Sequence, residues 1–273
     1  MGYLVVRGQT TTKVHLNEIS TIIIESTAVA LTAYLLSEMT KHKIKVVFCD
    51  EKRNPSSELI PYYGSHDTSA KVRRQIKWSD DSKAAAWTEI VSEKIRNQEA
   101  LLVTLDKPEA GMLRGYLDEL EFGDETNREG HAAKVYFNSL FGKDFTRTEE
   151  SPRNAALNYG YSLILSVFNR QITANGYMTQ IGLFHDNMFN PFNLASDLME
   201  PFRPLVDRMV IRMNPERFET EEKHYMVTLL QSELKISGRI EVFTNAVEVY
   251  TRSVFDALNE EDVSLIKFFQ DEL

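Results

Sequence analysis

The 273-residue chain has one cysteine, Cys49, so it has no disulfide of its own and reads as a protein of a reducing compartment. Cys49 sits in the apolar run KVVFCD, where a small buried hydrophobe is expected and no chemistry is assigned to it. Long apolar runs are missing too. The longest mostly apolar stretch, 27–36, is far short of the ~20 residues that a membrane-spanning helix needs. Nothing reads as a signal peptide, and the expectation is a soluble cytoplasmic protein without a membrane partner. The G-x-x-x-x-G-K-[ST] phosphate loop, the G-x-S-x-G elbow, H-E-x-x-H and cysteine-based zinc patterns are all absent. The sequence therefore does not read as a P-loop enzyme, an α/β-hydrolase, a zincin protease or a zinc finger. There is no internal repeat and no low-complexity tract.

Positive charge is also in deficit: 31 Lys and Arg stand against 40 Asp and Glu, a net charge of −9. Nucleic-acid binders are usually basic on the face that meets phosphate, so the balance counts mildly against DNA. The charges are bunched, however. Acids gather at Asp118, Glu119, Glu121, Asp124 and Glu125 and again at 260–272, whereas bases gather at Lys71, Arg73, Arg74 and Lys77 and at Arg203, Arg208, Arg212 and Arg217.

Hydrophobic residues make up 42% and charged residues 26%, ordinary globular proportions for a chain long enough to build a proper core. The first third reads as strands: Tyr3–Arg7, Lys13–Leu16, Thr21–Glu25, Lys43–Cys49 and Leu59–Tyr62, with a loop at Asn54–Ser57. A helix capped by Ser26 or Thr27 and running to about Lys41 interrupts them, with Leu31, Leu35 and Met39 on one face. From Ser65 onward the pattern is helical, over about 68–77, 79–98, 109–120, 129–140, 152–175, 194–213, 220–234 and 239–258. The predicted class is α+β: a small N-terminal β-rich domain (1–64) followed by a larger all-α C-terminal catalytic domain (65–273), with the boundary at 62–66.

Three residues carry the candidate chemistry. Glu129 opens a helix with Ala132, Ala133, Tyr136, Phe137 and Leu140 inward; the small alanines permit another helix to approach closely. Thr126-Asn127-Arg128-Glu129 also fits a capping box, in which the glutamate merely closes on backbone. His185 lies in an asparagine-rich loop that leads to a helix capped by Asn193. On that helix Asp197 and Glu200 are three apart, so both carboxylates emerge on one side, and Pro201 is set to break or kink the helix there. Two crowded acids beside a histidine suit a shared divalent cation. The aromatic pairs Tyr136–Phe137 and Tyr159–Tyr161 read as core and not as base-stacking platforms.

The segments NREGHAAKVYF (127–137), NYGYSL (158–163) and the His185 loop through LASDLMEPFRPLVD (194–207) resemble the CRISPR-associated integrase family, the metal-dependent nuclease-integrase subunit of the spacer-acquisition complex. The likeness extends to TIIIESTAVALTAY (21–34) and VVFCDEKR (46–53), covers essentially the whole chain, and is nearest to the type II-A branch. It implies that Glu129, His185 and Glu200 bind a catalytic Mg²⁺ or Mn²⁺, with Asp197 as an outer or second-metal group. It implies a DNA integrase and endonuclease that joins short duplex fragments to CRISPR repeat and leader DNA through 3′-hydroxyl transesterification. The implied partners are a second copy in a homodimer, a small ferredoxin-like adaptation subunit, a ring-forming DNA-end-binding protein and the RNA-guided effector nuclease. Lys71, Arg73, Arg74 and Lys77 are candidate phosphate contacts. The family's β-domain normally has strands before YLVVR, so an unpaired sheet edge and a weakened dimer contact are expected here. A nuclease of branched DNA without joining, and a non-catalytic scaffold, are the competing readings.

Overall fold

The structure, a computed structural model, describes residues 2–8, 10–61 and 65–270. They fall into two units, Met1–His66 and Asp67–Leu273. The expected boundary at 62–66 includes residues 62–64, which lie outside the described residues.

In the first unit β1 (Tyr3–Arg7) and β2 (Thr11–His15) form an antiparallel pair, and among the described residues β2 is the only strand that pairs with β1. A second sheet has the order β3 (Thr21–Ile24), β4 (Lys45–Cys49), β5 (Pro55–Glu58), with β3 parallel to β4 and β5 antiparallel to it. The parallel step needs a crossover, and α1 (Ala33–Lys41) supplies it. Its cap is Thr32, whose hydroxyl accepts from Leu35 N at 3.2 Å, so the helix starts later than Ser26 or Thr27 would start it. Leu16, Met39, Ile44 and Val46 make the core of this unit. The last strand also moves: it is Pro55–Glu58, where a loop was expected, and Leu59–Pro61 is irregular. The expected strand's final residue, Tyr62, is outside the described residues. A buried Lys45–Glu58 ion pair across β4 and β5 holds the polar sequence PSSE in the sheet.

The second unit is mostly helical. Its helices are α2 (Thr68–Gln75), α3 (Asp80–Thr104), α4 (Ala110–Asp118), α5 (Arg128–Phe141), α6 (Pro152–Ala174), α7 (Asn193–Leu198), α8 (Arg203–Met213), α9 (Thr220–Val227) and α10 (Phe243–Glu260). Ser79 caps α3 and Ser151 caps α6, each accepting a backbone N–H three residues on. Trp87, Ile90, Val91, Ile95, Leu102, Leu113, Ala132 and Tyr136 join α3, α4 and α5 in one buried cluster. The long helix α6 is buried on most sides. At Gly160 an added Cβ would collide with Val206 Cγ1 and lie 2.7 Å from Met226 Cε, so glycine lets α8 and α9 close on α6.

This unit is not all-α. Residues expected to prolong helices at 220–234 and 239–258 instead form β6 (Glu233–Ile236) and β7 (Arg239–Val242), an antiparallel hairpin joined by β8 (Phe269–Gln270). Ser237 and Gly238 both have positive φ (52° and 75°), the geometry of a two-residue primed turn that reverses the chain before a helix can form.

Candidate active site

Pro201 ends a helix, as its chemistry requires. The 194–213 segment breaks into α7, a 3-10 turn at Glu200–Phe202, and α8. Phe202 fixes that turn: it is fully buried in contact with Phe168, Phe243, Tyr250 and Phe269, with ring centroids 4.5–5.8 Å apart. Asn97 of α3 donates to Pro201 O at 3.0 Å. Glu200 is thereby carried inward, 3% exposed, toward α3.

Glu129 comes to the same place from α5. The capping-box reading of this residue does not hold. Asp124 accepts the backbone N–H groups of Arg128 and Glu129 at 2.6 and 3.1 Å, and Asn127, at φ 54°, accepts that of Gly130 at 3.2 Å. With the first turn satisfied by others, the Glu129 carboxylate is free to reach into the unit.

Between the two glutamates lies a residue the sequence reading missed. Lys94 of α3 is 5% exposed, and its ammonium pairs with Glu129 Oε1 and with Glu200 Oε2, the latter at 2.5 Å. Arg203 Nη2 takes the other Glu200 oxygen at 2.9 Å. Burial works against charge on Lys94, but Glu200 and Glu129 outweigh it, and its pKa is raised. Burial likewise opposes the Glu200 charge, yet Arg203 and Lys94 hold its pKa below the ordinary carboxylate value. The signal for Lys94 was present: it is the one cation on a helical stripe that otherwise reads Trp87, Ile90, Val91, Gln98 and Leu101, and lysine is rarely buried unless paired.

His185 stands near Glu200, held by Asp197. The fully buried Asp197 carboxylate accepts the backbone N–H groups of Leu183, Phe184 and His185 at 2.6, 3.2 and 3.1 Å, and its Oδ1 lies 2.5 Å from His185 Nδ1. That hydrogen bond raises the imidazole pKa despite burial. Nε2 is the nitrogen left over, and the charges of His185 and Glu200 are close enough to influence each other. The loop is anchored on α3, where Phe184 stacks on Trp87 with centroids 4.6 Å apart and planes 1° from parallel. Gln75 of α2 pins its approach, donating to Met178 O and Ile181 O and accepting from Met178 N. Asn193 does not cap α7 as expected; its side chain ties Gln180 O to Asn187 O. Asp197 and Glu200 have different partners, because the helix ends at Leu198 and the tighter turn aims them apart.

Glu129 and Glu200 are thus brought together, with His185 and Asp197 as an adjoining pair. Among the described residues no three His, Cys, Asp or Glu side chains converge on a single point that would hold a metal. The donor set nonetheless suits a hard divalent ion: two carboxylates and an imidazole, with Glu200 Oε2 buried against a cation. Behind the site Tyr136 and Tyr161, both core residues, donate to the buried Asp207 at 2.9 and 2.5 Å, and Arg203 lies over the Tyr161 ring at 4.9 Å. Arg73, Arg74 and Lys77 are exposed, while Lys71 is half-buried, near Asp67 and over the Tyr177 ring.

A β-rich unit followed by a helical unit is the fold of a known group of solved structures. A casposase bound to integration product superposes with a TM-score of 0.77 at 19% identity, over 93% of this chain and 84% of that one. A chain of a Cas6-RT-Cas1–Cas2 complex gives 0.77 at 18%, over 100% of this chain and 34% of that one. At such identities the likeness speaks for the fold alone. The family is settled by sequence: residues 2–248 match the family described as CRISPR associated protein Cas1. The chain belongs to the Cas1 family. The CRISPR-associated endonuclease Cas1 of Neisseria meningitidis serogroup C (strain 8013) is 39% identical over 201 residues, spanning 73% of this chain and 66% of that protein.

Proposed function

We propose that this chain is a divalent-metal-dependent DNA integrase and endonuclease of CRISPR spacer acquisition, of the type II-A branch, with Glu129, His185 and Glu200 as its metal ligands. The observation that carries the reading is the meeting of Glu129 and Glu200, from different elements, on one buried cation, with an oriented histidine near Glu200. Membership of the Cas1 family and the endonuclease name of its relatives support it.

A Mg²⁺ or Mn²⁺ ion, when bound, would polarise the scissile phosphoryl oxygen and stabilise charge on the attacking and leaving oxygens. The chain's own groups prepare for it. Asp197 fixes the ring and tautomer of His185 by taking Nδ1, which leaves Nε2 as the ligating nitrogen. Arg203 holds one Glu200 oxygen and leaves the other facing inward. The Asp124 and Asn127 caps keep Glu129 out of backbone duty. The reaction is a transesterification: the 3′-oxygen of a short duplex fragment forms a bond to a phosphorus at a repeat end. The bond from that phosphorus to its original 3′-oxygen breaks, the attacking hydroxyl's proton passes to the leaving oxygen or solvent, and no ATP is consumed. With water as nucleophile the same site is an endonuclease.

The partners follow the same reading. They are DNA, a second copy of the chain, the small ferredoxin-like adaptation subunit, the ring-forming DNA-end-binding protein and the RNA-guided effector nuclease, all in the cytoplasm. Relatedness in fold to a chain from a Cas1–Cas2 complex supports the adaptation subunit. No helix among the described residues is long and apolar enough to cross a membrane. Arg73, Arg74 and Lys77, exposed on and just after α2, are suited to phosphate.

The test is strand transfer. Labelled duplex fragments with free 3′-hydroxyls are mixed with a supercoiled plasmid carrying leader and repeat, the adaptation subunit, and Mn²⁺, Mg²⁺ or EDTA. Metal-dependent label at repeat ends, lost in His185→Ala, is the expected result. Cleavage without joining would favour the nuclease, and no metal-dependent product would favour the scaffold.

A further inference from the structure

We propose that Lys94 is an internal counter-cation that keeps the Glu129–Glu200 pair from loading a divalent metal until the phosphates of a nucleic acid arrive. The inference rests on the metal-site reading above and adds an order of events to it.

The charges at the centre are already balanced. Two carboxylates, Glu129 and Glu200, face two cations, Lys94 and Arg203. Lys94 touches one oxygen of each glutamate, so it occupies the place from which both acids would bind one ion. It is not a loosely held surface lysine, since its side chain is buried on α3. Its contact with Glu200 Oε2 is a short ion pair at 2.5 Å. A divalent ion entering this neutral cluster must displace the ammonium or sit against it, and in a buried setting like-charge repulsion is weakly screened. An approaching phosphodiester supplies the missing negative charge, both for the metal and for a released ammonium. Metal and DNA should therefore bind with positive coupling, and the coupling should be reciprocal.

The measurement is Mn²⁺ binding to the full chain, by calorimetry and by loss of the free-ion spin-resonance signal. The DNA probe is a short duplex ending in 3′-dideoxynucleotides, which cannot react. Wild type is expected to bind Mn²⁺ about tenfold or more tightly with the duplex than without it, in the usual range of coupling between sites. Lys94→Met and Lys94→Gln are expected to bind Mn²⁺ at least about tenfold more tightly than wild type without DNA, and to gain little from it; Lys94→Arg should keep the wild-type dependence. A Lys94→Met protein that folds only when Mn²⁺ is supplied supports the proposal, because the metal then replaces the ammonium. Affinities within about twofold of wild type in Lys94→Met or Lys94→Gln overturn it, as does failure of both to fold even with Mn²⁺. Failure of the metal site itself looks different: wild type then shows no Mn²⁺ binding with or without DNA, or Glu129→Gln and Glu200→Gln leave its binding undiminished.

Discussion

Asp124 accepts the backbone N–H of Glu129 at 3.1 Å, so the acid that satisfies the start of α5 is a different residue from the acid that reaches Lys94. This division of labour makes Asp124 a positioning residue. Asp124→Ala is expected to cost about 1–2 kcal/mol of stability, as the loss of a good helix cap does. It should also lower strand transfer further than that loss explains, by letting Glu129 turn back to its own backbone. Thermal melts and strand transfer, both at a temperature well below unfolding, check the two halves.

Glu129 and Glu200 should part company when each is removed. Glu129→Ala and His185→Ala are expected to abolish joining with the fold intact, since both side chains are partly exposed. Glu200→Ala leaves Lys94 and Arg203 with an uncompensated charge in a buried site and is expected to cost about 3–5 kcal/mol as well as activity. Urea unfolding of the three variants decides this; equal midpoints for Glu129→Ala and Glu200→Ala would contradict the burial difference.

Gly182→Ala should act on the His185 ring without touching the imidazole. A Cβ at Gly182 would strike the backbone oxygen of His185 and lie 2.8 Å from Asp197 Oδ2. The loop must shift, and Asp197 loses its hold on the ring. Joining is expected to fall by tenfold or more with a stability loss of only about 1–3 kcal/mol, checked by strand transfer and calorimetry on the same preparation.

Asp207 predicts a pH dependence of unusual sign. Burial lifts its carboxyl from an ordinary 3.8 to about 6, despite the hydrogen bonds donated by Tyr161 and Tyr136. Between those values the folded protein holds more protons than the unfolded chain. The contribution of this group is therefore most favourable below pH 3.8, falls as pH rises toward 6, and is flat above. At about 1.4 kcal/mol per pH unit the fall is about 3 kcal/mol. Stability of wild type minus that of Asp207→Asn, measured by urea titration from pH 4 to 8, should decline by this order across the window and then level. A difference that rises with pH would refute the assignment.

Much of this was readable in advance, for definable reasons. The helix starts near Ser79 and at Pro152 and the break at Pro201 are local chemistry, and the structure places them where the sequence does. The two-part α+β plan also holds. The sequence was misleading where a long-range partner overrides local preference. Residues 55–58, polar and led by proline, form an edge strand because Lys45 of β4 pairs with Glu58. Ser237-Gly238 was a legible hairpin turn, hidden by the helical periodicity on either side of it. Lys94 was legible only as an oddity on an apolar stripe. Its role depends on α5 and the Glu200 turn arriving from 35 and 106 positions away along the chain, which no local pattern encodes.

The stack of Phe184 on Trp87 gives the molecule a built-in optical probe. The chain has two tryptophans, and Trp78 is enclosed by Tyr177 and Phe255. Trp87 reads that loop directly, with Phe184 against one face and His185 edge-on at 5.8 Å. An imidazolium is a quencher of indole emission and a phenyl ring is not. Any event that reorients the His185 loop should therefore register in the protein's own fluorescence, label-free and in real time, with Trp87→Phe as the dark control.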